Sequence, residues 1–149
     1  MSQEEYLKKV VRKFYMELSR NVKVPLAGHF KLSAEQSPVT EEEKIKMTKI
    51  PYASAVGSLM YSMICTRPDL AYAVSVLSKY MANPGLDHWL AMKWVLKYVN
   101  STVNYGLIYK YTSNHLVLEG FVDSDFAGDR DRRRSTSAYM MTLDGNCIS

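Results

Sequence analysis

The chain reads as an α+β fold, helical in its first two thirds and β afterwards. Three observations predict this. Up to about Asn104, apolar residues recur at the three- and four-residue spacing of helices that bury one face. From Tyr105 onward the runs become short, aromatic and β-branched, separated by polar turns, as in antiparallel strands. Within the helical regime, Asn83-Pro84-Gly85 and similar breakers divide the chain into separate elements.

Ser2-Gln3-Glu4-Glu5 has the spacing of a capping box, so a helix is expected to start there. Tyr6, Leu7, Val10, Val11, Phe14 and Leu18 follow on one face, with Lys8, Lys9, Arg12 and Lys13 between them. From Asn21 to Lys49 the periodicity dissolves around Pro25, Gly28, Pro38 and the acidic Glu41 to Glu43, which predicts a long linker holding at most a short helical piece. A helix resumes at Tyr52 through Val56, Leu59, Met60, Met63 and Ile64, and ends near Cys65. Thr66-Arg67-Pro68-Asp69 then reads as a new start, with threonine as cap, proline in the first turn and aspartate at the positive helix end. Leu70, Val74, Leu77 and Met81 form its stripe. A last helix from about Leu86 to Val99 turns Trp89, Met92, Leu96 and Val99 inward and Lys93 and Lys97 outward, one turn apart. Strands are expected over Tyr105 to Tyr111, His115 to Asp123 and Thr136 to Leu143.

Composition narrows the function classes. With 149 residues, 47% of them hydrophobic, the chain has enough apolar material for the core of one ordinary domain. A net charge of +4 leans mildly toward an acidic partner such as nucleic acid. Cys65 and Cys147 show neither disulfide-framework nor zinc-ligand spacing, which fits a reducing, intracellular setting. The charged N-terminus lacks the apolar run of a signal peptide, so the chain is not expected to be secreted. The longest apolar segment, around Tyr52 to Cys65, falls short of the roughly 20 residues that span a bilayer, and no membrane partner is expected.

The segment richest in chemistry is Gly120-Phe121-Val122-Asp123-Ser124-Asp125-Phe126-Ala127-Gly128-Asp129. An apolar run ending in an aspartate can present a metal-binding carboxylate on a rigid strand, and strand alternation would put Asp125 on the same face. The same spacing also describes turn residues flanking a hairpin. Two-metal phosphodiester hydrolysis needs several converging carboxylates, and one aspartate is not enough. Lys8, Lys9, Arg12 and Lys13 form a basic helix face suited to phosphates or simply to solvent. Arg132, Arg133 and Arg134, with Arg130 before them, fit either phosphate contact or the solubility of a hairpin turn. Tyr105, Tyr109 and Tyr111 suit base stacking or core packing. His29, His88 and His115 have no ligand or triad partners at useful spacing and read as structural.

Tyr52 to Tyr61, Thr66 to Val74, His88-Trp89, Lys93-Trp94, Gly120 to Asp129 and Arg134-Ser135-Thr136-Ser137 occur in one order. Together with Ser2 to Tyr6 and Pro25 to Leu32, this pattern resembles the pol polyprotein of copia-type LTR retrotransposons over nearly the whole chain. One departure is Ala138, where that family often has glycine. The resemblance implies a region that follows the reverse transcriptase palm and runs into RNase H. It would comprise a thumb-like amphipathic helix at 1–20, a linker at 21–50, a helical connection region at 51–104 and a partial RNase H-like β region at 105–149. It also implies that Asp123 stands at the first metal-binding aspartate of RNase H.

What the family pattern carries elsewhere is missing here. No Tyr-x-Asp-Asp polymerase turn occurs, and no glutamate follows Glu119. The expectation is therefore a truncated fragment, inactive alone, with only the first strands of an RNase H-like sheet. Mg²⁺ is expected only in a complete RNase H site and no cofactor for this fragment. The implied partners are RNA/DNA hybrid or duplex, held weakly and without sequence preference, and the remainder of the polyprotein. An intact element would hold it in the cytoplasm or a virus-like particle. The alternative is a stand-alone nucleic-acid-binding or domesticated interaction module without catalysis.

Overall fold

A computed structural model describes residues 1–111, 116–129 and 131–148. The elements are α1 (Glu4–Lys13), a 3₁₀ turn (Ala34–Gln36), α2 (Glu41–Thr48), α3 (Tyr52–Cys65), a second 3₁₀ turn (Pro68–Leu70), α4 (Ala71–Ser78), α5 (Leu86–Ser101), β1 (Leu118–Ser124), β2 (Ser137–Leu143) and β3 (Asn146–Cys147). The fold is thus mixed α and β, helices first, in two compact units: a helical unit, Met1–Gly106, and a sheet unit, Leu107–Ser149. Among the described residues no helix is long and apolar enough to cross a membrane.

In the helical unit, α1 contributes Leu7, Val10 and Val11 to the core, α3 Tyr52, Ala55, Val56 and Leu59, α4 Ala73, Val74 and Leu77, and α5 Ala91, Met92, Val95, Leu96 and Val99. Burial on this scale is the main favourable contribution to folding. Four details differ from the sequence expectation. First, α1 starts at an uncapped Gln3, and Ser2 instead forms an isolated antiparallel bridge with Gly106.

Second, α1 stops at Lys13 and does not reach Leu18, which is fully exposed. The Tyr15 amide bonds to Arg12 O and the Met16 amide to Val11 O, while Tyr15 takes a left-handed φ of 56°. This is a Schellman ending, with Met16 folded back into the core. Glycine normally signals it, and here a tyrosine occupies the position.

Third, the stripe of α3 that faces the core is rotated from the expected one, so Met60 and Ile64 are exposed and Ser62 is buried with its hydroxyl on Ser58 O. Fourth, Thr66 closes α3 and caps no new helix. Its hydroxyl donates to Gln3 Oε1 at 2.7 Å. The next helix is also short, α4 ending at Ser78 and leaving Met81 exposed.

Residues 21–50, expected as a linker, pack on the helices along much of their length. Leu32 and Met47 are buried, and Val22, Leu26, Phe30 and Ile50 pack against the core. The expected short helical piece is α2, opened by a reciprocal cap in which Thr40 Oγ1 accepts from the Glu43 amide and Glu43 Oε2 accepts from the Thr40 and Val39 amides. Those amides hold the Glu43 carboxyl below the usual range. The preceding stretch approaches the start of α5 so closely that a Cβ on Gly85 would strike Gln36 O.

The sheet has strand order β1-β2-β3, all antiparallel. Asp123 stands opposite Ala138 and Val122 opposite Tyr139. Leu143 and Asn146 close the second hairpin around Asp144-Gly145, both at positive φ, the turn chemistry for which Asp-Gly is suited. No strand forms over Tyr105 to Tyr111. Lys110 instead meets the side chain of Asn146, whose Oδ1 accepts its amide and whose Nδ2 donates to its carbonyl. The strand expected from His115 begins at Leu118, and His115 itself lies outside the described residues.

Candidate functional site

Asp123 sits near the end of β1 with its side chain exposed. By register it shares a sheet face with Glu119, Phe121, Ala138, Met140 and Thr142. Thr142 is buried, and its hydroxyl has no hydrogen-bond partner among the described residues.

The next two aspartates are used by the turn between β1 and β2. Asp125 follows the last residue of β1, and its Oδ1 accepts from the Thr136 amide at 2.7 Å and the Gly128 amide at 3.4 Å. Asp129 Oδ1 accepts from the amides of Asp131 and Arg132 at 3.0 and 3.1 Å. These are the local side-chain to backbone bonds through which aspartate favours turns. Neither carboxylate is presented beside Asp123 as a free ligand. Among the described residues no group of three His, Cys, Asp or Glu side chains could hold a metal ion.

Arg132, Arg133 and Arg134 project into solvent from this turn, Arg133 with a left-handed φ of 54°. Arg130 lies outside the described residues. The cations of α1 are largely engaged by their own neighbours. Lys8 pairs with Glu4 at 2.8 Å and Glu5 at 3.1 Å, and these bonds raise it above the ordinary lysine value. Arg12 pairs with Glu17 at 3.2 Å, and Lys13 donates to Ser54 Oγ at 2.7 Å. Among the described residues, Lys9 alone of the four extends to solvent without a partner.

The most connected polar group of the helical unit is Arg67, with 1% of its surface exposed. Its guanidinium grips Asp69 with two bonds, Nε to Oδ1 at 2.9 Å and Nη2 to Oδ2 at 2.8 Å. It also donates to Thr102 O at 3.0 Å and Thr102 Oγ1 at 2.7 Å, and it lies over the rings of Tyr98 and Tyr105. Tyr98 completes the set by donating its hydroxyl to Asp69 Oδ2 at 2.8 Å. Burial works to raise the Asp69 carboxyl, and the Arg67 bonds and charge, with help from Tyr98, outweigh it and hold the group below its usual range. Burial and the Asp69 bond push the Tyr98 hydroxyl up. The cluster joins the end of α3 to the end of α5. Sequence reading placed Asp69 at a helix start and assigned Arg67 nothing, because only tertiary contact brings Tyr98 and Thr102 to it.

His88 is buried and stacked on Tyr80 at 4.0 Å. The Gly85 amide donates to its Nδ1 at 2.8 Å and its Nε2 lies 3.1 Å from Ser33 O, so the partners select the neutral tautomer with the proton on Nε2. Cys65 and Cys147 are not joined by a disulfide.

No family model matches the chain, and no solved structure matches it. Among curated proteins it is 48% identical over 149 residues to the Retrovirus-related Pol polyprotein from transposon TNT 1-94 of Nicotiana tabacum, covering all of this chain and 11% of that protein. It is 37% identical over 153 residues to the Retrovirus-related Pol polyprotein from transposon RE2 of Arabidopsis thaliana, of which it covers 10%. It is also 50% identical over 103 residues to Secreted RxLR effector protein 161 of Plasmopara viticola, covering 69% of this chain and 72% of that protein. The chain therefore spans about a tenth of the length of the Pol polyproteins it matches.

Proposed function

Because the chain belongs to the copia-type, retrovirus-related Pol polyproteins of transposons, we propose that it is the segment joining reverse transcriptase to RNase H, and that it catalyses nothing alone. In this reading the helical unit is the thumb and connection region and the sheet is the opening of RNase H. Asp123 supplies one carboxylate of a Mg²⁺ site whose other ligands lie outside the described residues. The ion would activate water and steady the leaving oxygen, which takes several carboxylates. The residues described do not fit that ion by themselves, and no hydrolytic step is assigned to this chain.

The observation that carries the reading is the isolation of Asp123. It is exposed on a strand, while Asp125 and Asp129 are committed to backbone amides. Nucleic acid would be held through phosphate contacts from Lys9 and the exposed Arg132, Arg133 and Arg134, with Lys8, Arg12 and Lys13 available after exchange of their exposed, low-value ion pairs. The protein acts inside the cell in this reading.

The purified chain, incubated with an RNA/DNA hybrid and Mg²⁺, is expected to leave the RNA strand intact. Cleavage that disappears in Asp123→Asn would overturn the claim of inactivity.

A second reading is a stand-alone nucleic-acid-binding or domesticated module. It is favoured by the extent of the match to a protein of which the chain covers 72%, so closely similar sequence occurs outside a long polyprotein. A transcript that encodes this chain without a polymerase upstream would select the module. One that continues through a Tyr-x-Asp-Asp turn and a downstream glutamate-bearing helix would select the polyprotein.

A further inference from the structure

Residues 17–33 form a strap laid along the outer side of α5. Asn100 Nδ2 donates to Glu17 O at 3.0 Å and Ser19 Oγ at 3.3 Å, and the Val22 amide donates to Ser101 Oγ at 3.1 Å. Trp94 Nε1 reaches Val24 O at 3.0 Å, and the His29 and Phe30 rings stand edge-on to Trp94 at 5.4 and 5.8 Å. Each anchor fixes where the neighbouring cation lies. Lys23 lies in the strap between the residues that meet Ser101 and Trp94, and Lys97 lies between those two positions on α5. Arg20, between those that meet Asn100 and Ser101, lies at the C-terminal end of α5. Lys93, one turn before Lys97, rests over the Trp89 ring at 5.7 Å.

The cations of this surface differ from those of α1. Lys8 is matched by Glu4 and Glu5 and Arg12 by Glu17, whereas Arg20, Lys23, Lys93 and Lys97 make no ion pair among the described residues. Aromatic rings are interleaved with them, and that of His29 is exposed.

We infer that the strap and the outer face of α5 form a binding surface for an unpaired nucleic-acid strand. Arg20, Lys23, Lys93 and Lys97 contact its phosphates, and the His29 ring, backed by Trp94, stacks on a base. Cations alone would serve a duplex or an acidic peptide equally well. An exposed ring among cations favours a strand whose bases are free to stack. The inference rests on the reading that the chain holds nucleic acid, and it adds to the phosphate contacts of α1 and the Arg132–Arg134 turn a surface for an unpaired strand.

The test is fluorescence anisotropy of a labelled oligothymidine and of a labelled hairpin duplex with the full chain between 50 and 200 mM salt. The intact chain is expected to bind the single strand more tightly than the duplex. In Lys23→Gln/Lys93→Gln/Lys97→Gln, with an unchanged circular dichroism spectrum, the slope of log affinity on log salt should become shallower by about 2, since each phosphate contact to a single strand contributes about 0.7. Lys44→Gln/Lys46→Gln, on α2 and outside every surface assigned to nucleic acid, should leave the slope within about 0.5 of the intact chain, and the α1 variant Lys8→Gln/Arg12→Gln/Lys13→Gln should flatten it less than the strap and α5 variant does. His29→Ala should weaken single-strand binding at every salt concentration without changing the slope. An unchanged slope in the strap and α5 variant, with a reduced slope in the α1 variant, would overturn this surface and leave the nucleic-acid reading standing. Equal affinity for duplex and single strand would overturn the unpaired-strand assignment. No binding by the intact chain at 50 mM salt would overturn both the surface and the reading on which it rests.

Discussion

The helical unit and the sheet unit are built from similarly apolar sequence, yet only the first carries a core. Among the described residues, every buried hydrophobic side chain lies between Leu7 and Val99, and Thr142 is the one buried residue of the sheet unit. On β1 and β2, Leu118, Phe121, Val122, Tyr139, Met140 and Met141 are all exposed. Apolar alternation makes a strand possible, but it stabilises one only when a face is covered, and strands whose large apolar side chains remain exposed gain little from burial. The proposed metal-ligand position, Asp123, thus stands in the part of the molecule that buries least.

The sharpest way to break this contrast is to damage the hub of the helical unit. Arg67→Met removes the cation and leaves the Asp69 carboxylate and the Thr102 groups without their partner, which is expected to cost about 3–5 kcal/mol. Denaturant unfolding followed by tryptophan emission measures it well, because Trp89 and Trp94 both lie on α5. Leu96→Ala, at a fully buried position, is expected to cost about 2–5 kcal/mol in the same assay. Val122→Ala, on a side chain with 81% of its surface exposed, should stay within about 0.5 kcal/mol. If the two alanine variants fell equally, the contrast between the units would be wrong.

Acid sharpens the comparison further. The Asp69 carboxyl in the folded chain titrates below the unfolded one, so its stabilisation is complete above the ordinary carboxylate range and is lost as pH falls through the folded value. Tryptophan-reported stability should therefore decline below about pH 4, and Asp69→Asn should flatten part of that decline while lowering stability at neutral pH. A local effect is expected at the turn. Asp125→Ala removes the bonds to the Thr136 and Gly128 amides and should loosen the β1–β2 connection by about 1 kcal/mol, seen as faster amide exchange at Thr136, with tryptophan emission unchanged.

Sequence reading was most reliable where one local signal is enough. The α+β order, the helix over Tyr52 to Cys65, the outward Lys93 and Lys97, and the inward Met92, Leu96 and Val99 all follow from periodicity. It missed the end of α1 because Tyr15 does the work usually signalled by glycine. It read residues 21–33 of the strap as linker because their stability comes from Trp94 and Ser101, some seventy to eighty residues away in the chain. Arg67 was passed over for the same reason: burial of an arginine is decided by partners that meet it only after folding. Asp123 itself was legible on its strand, but the commitment of Asp125 to the turn depended on where β1 ends, a boundary that alternation does not define.

The central claim is that the stability of this protein resides in the helical unit and that the strand bearing Asp123 has no core of its own. Native-state hydrogen exchange on the full chain, read residue by residue, tests it most directly. The amides of α3 and α5 should exchange only through global unfolding, while those of β1 and β2 exchange at least a hundredfold faster. Equal protection of β1, β2 and α5 would contradict the account.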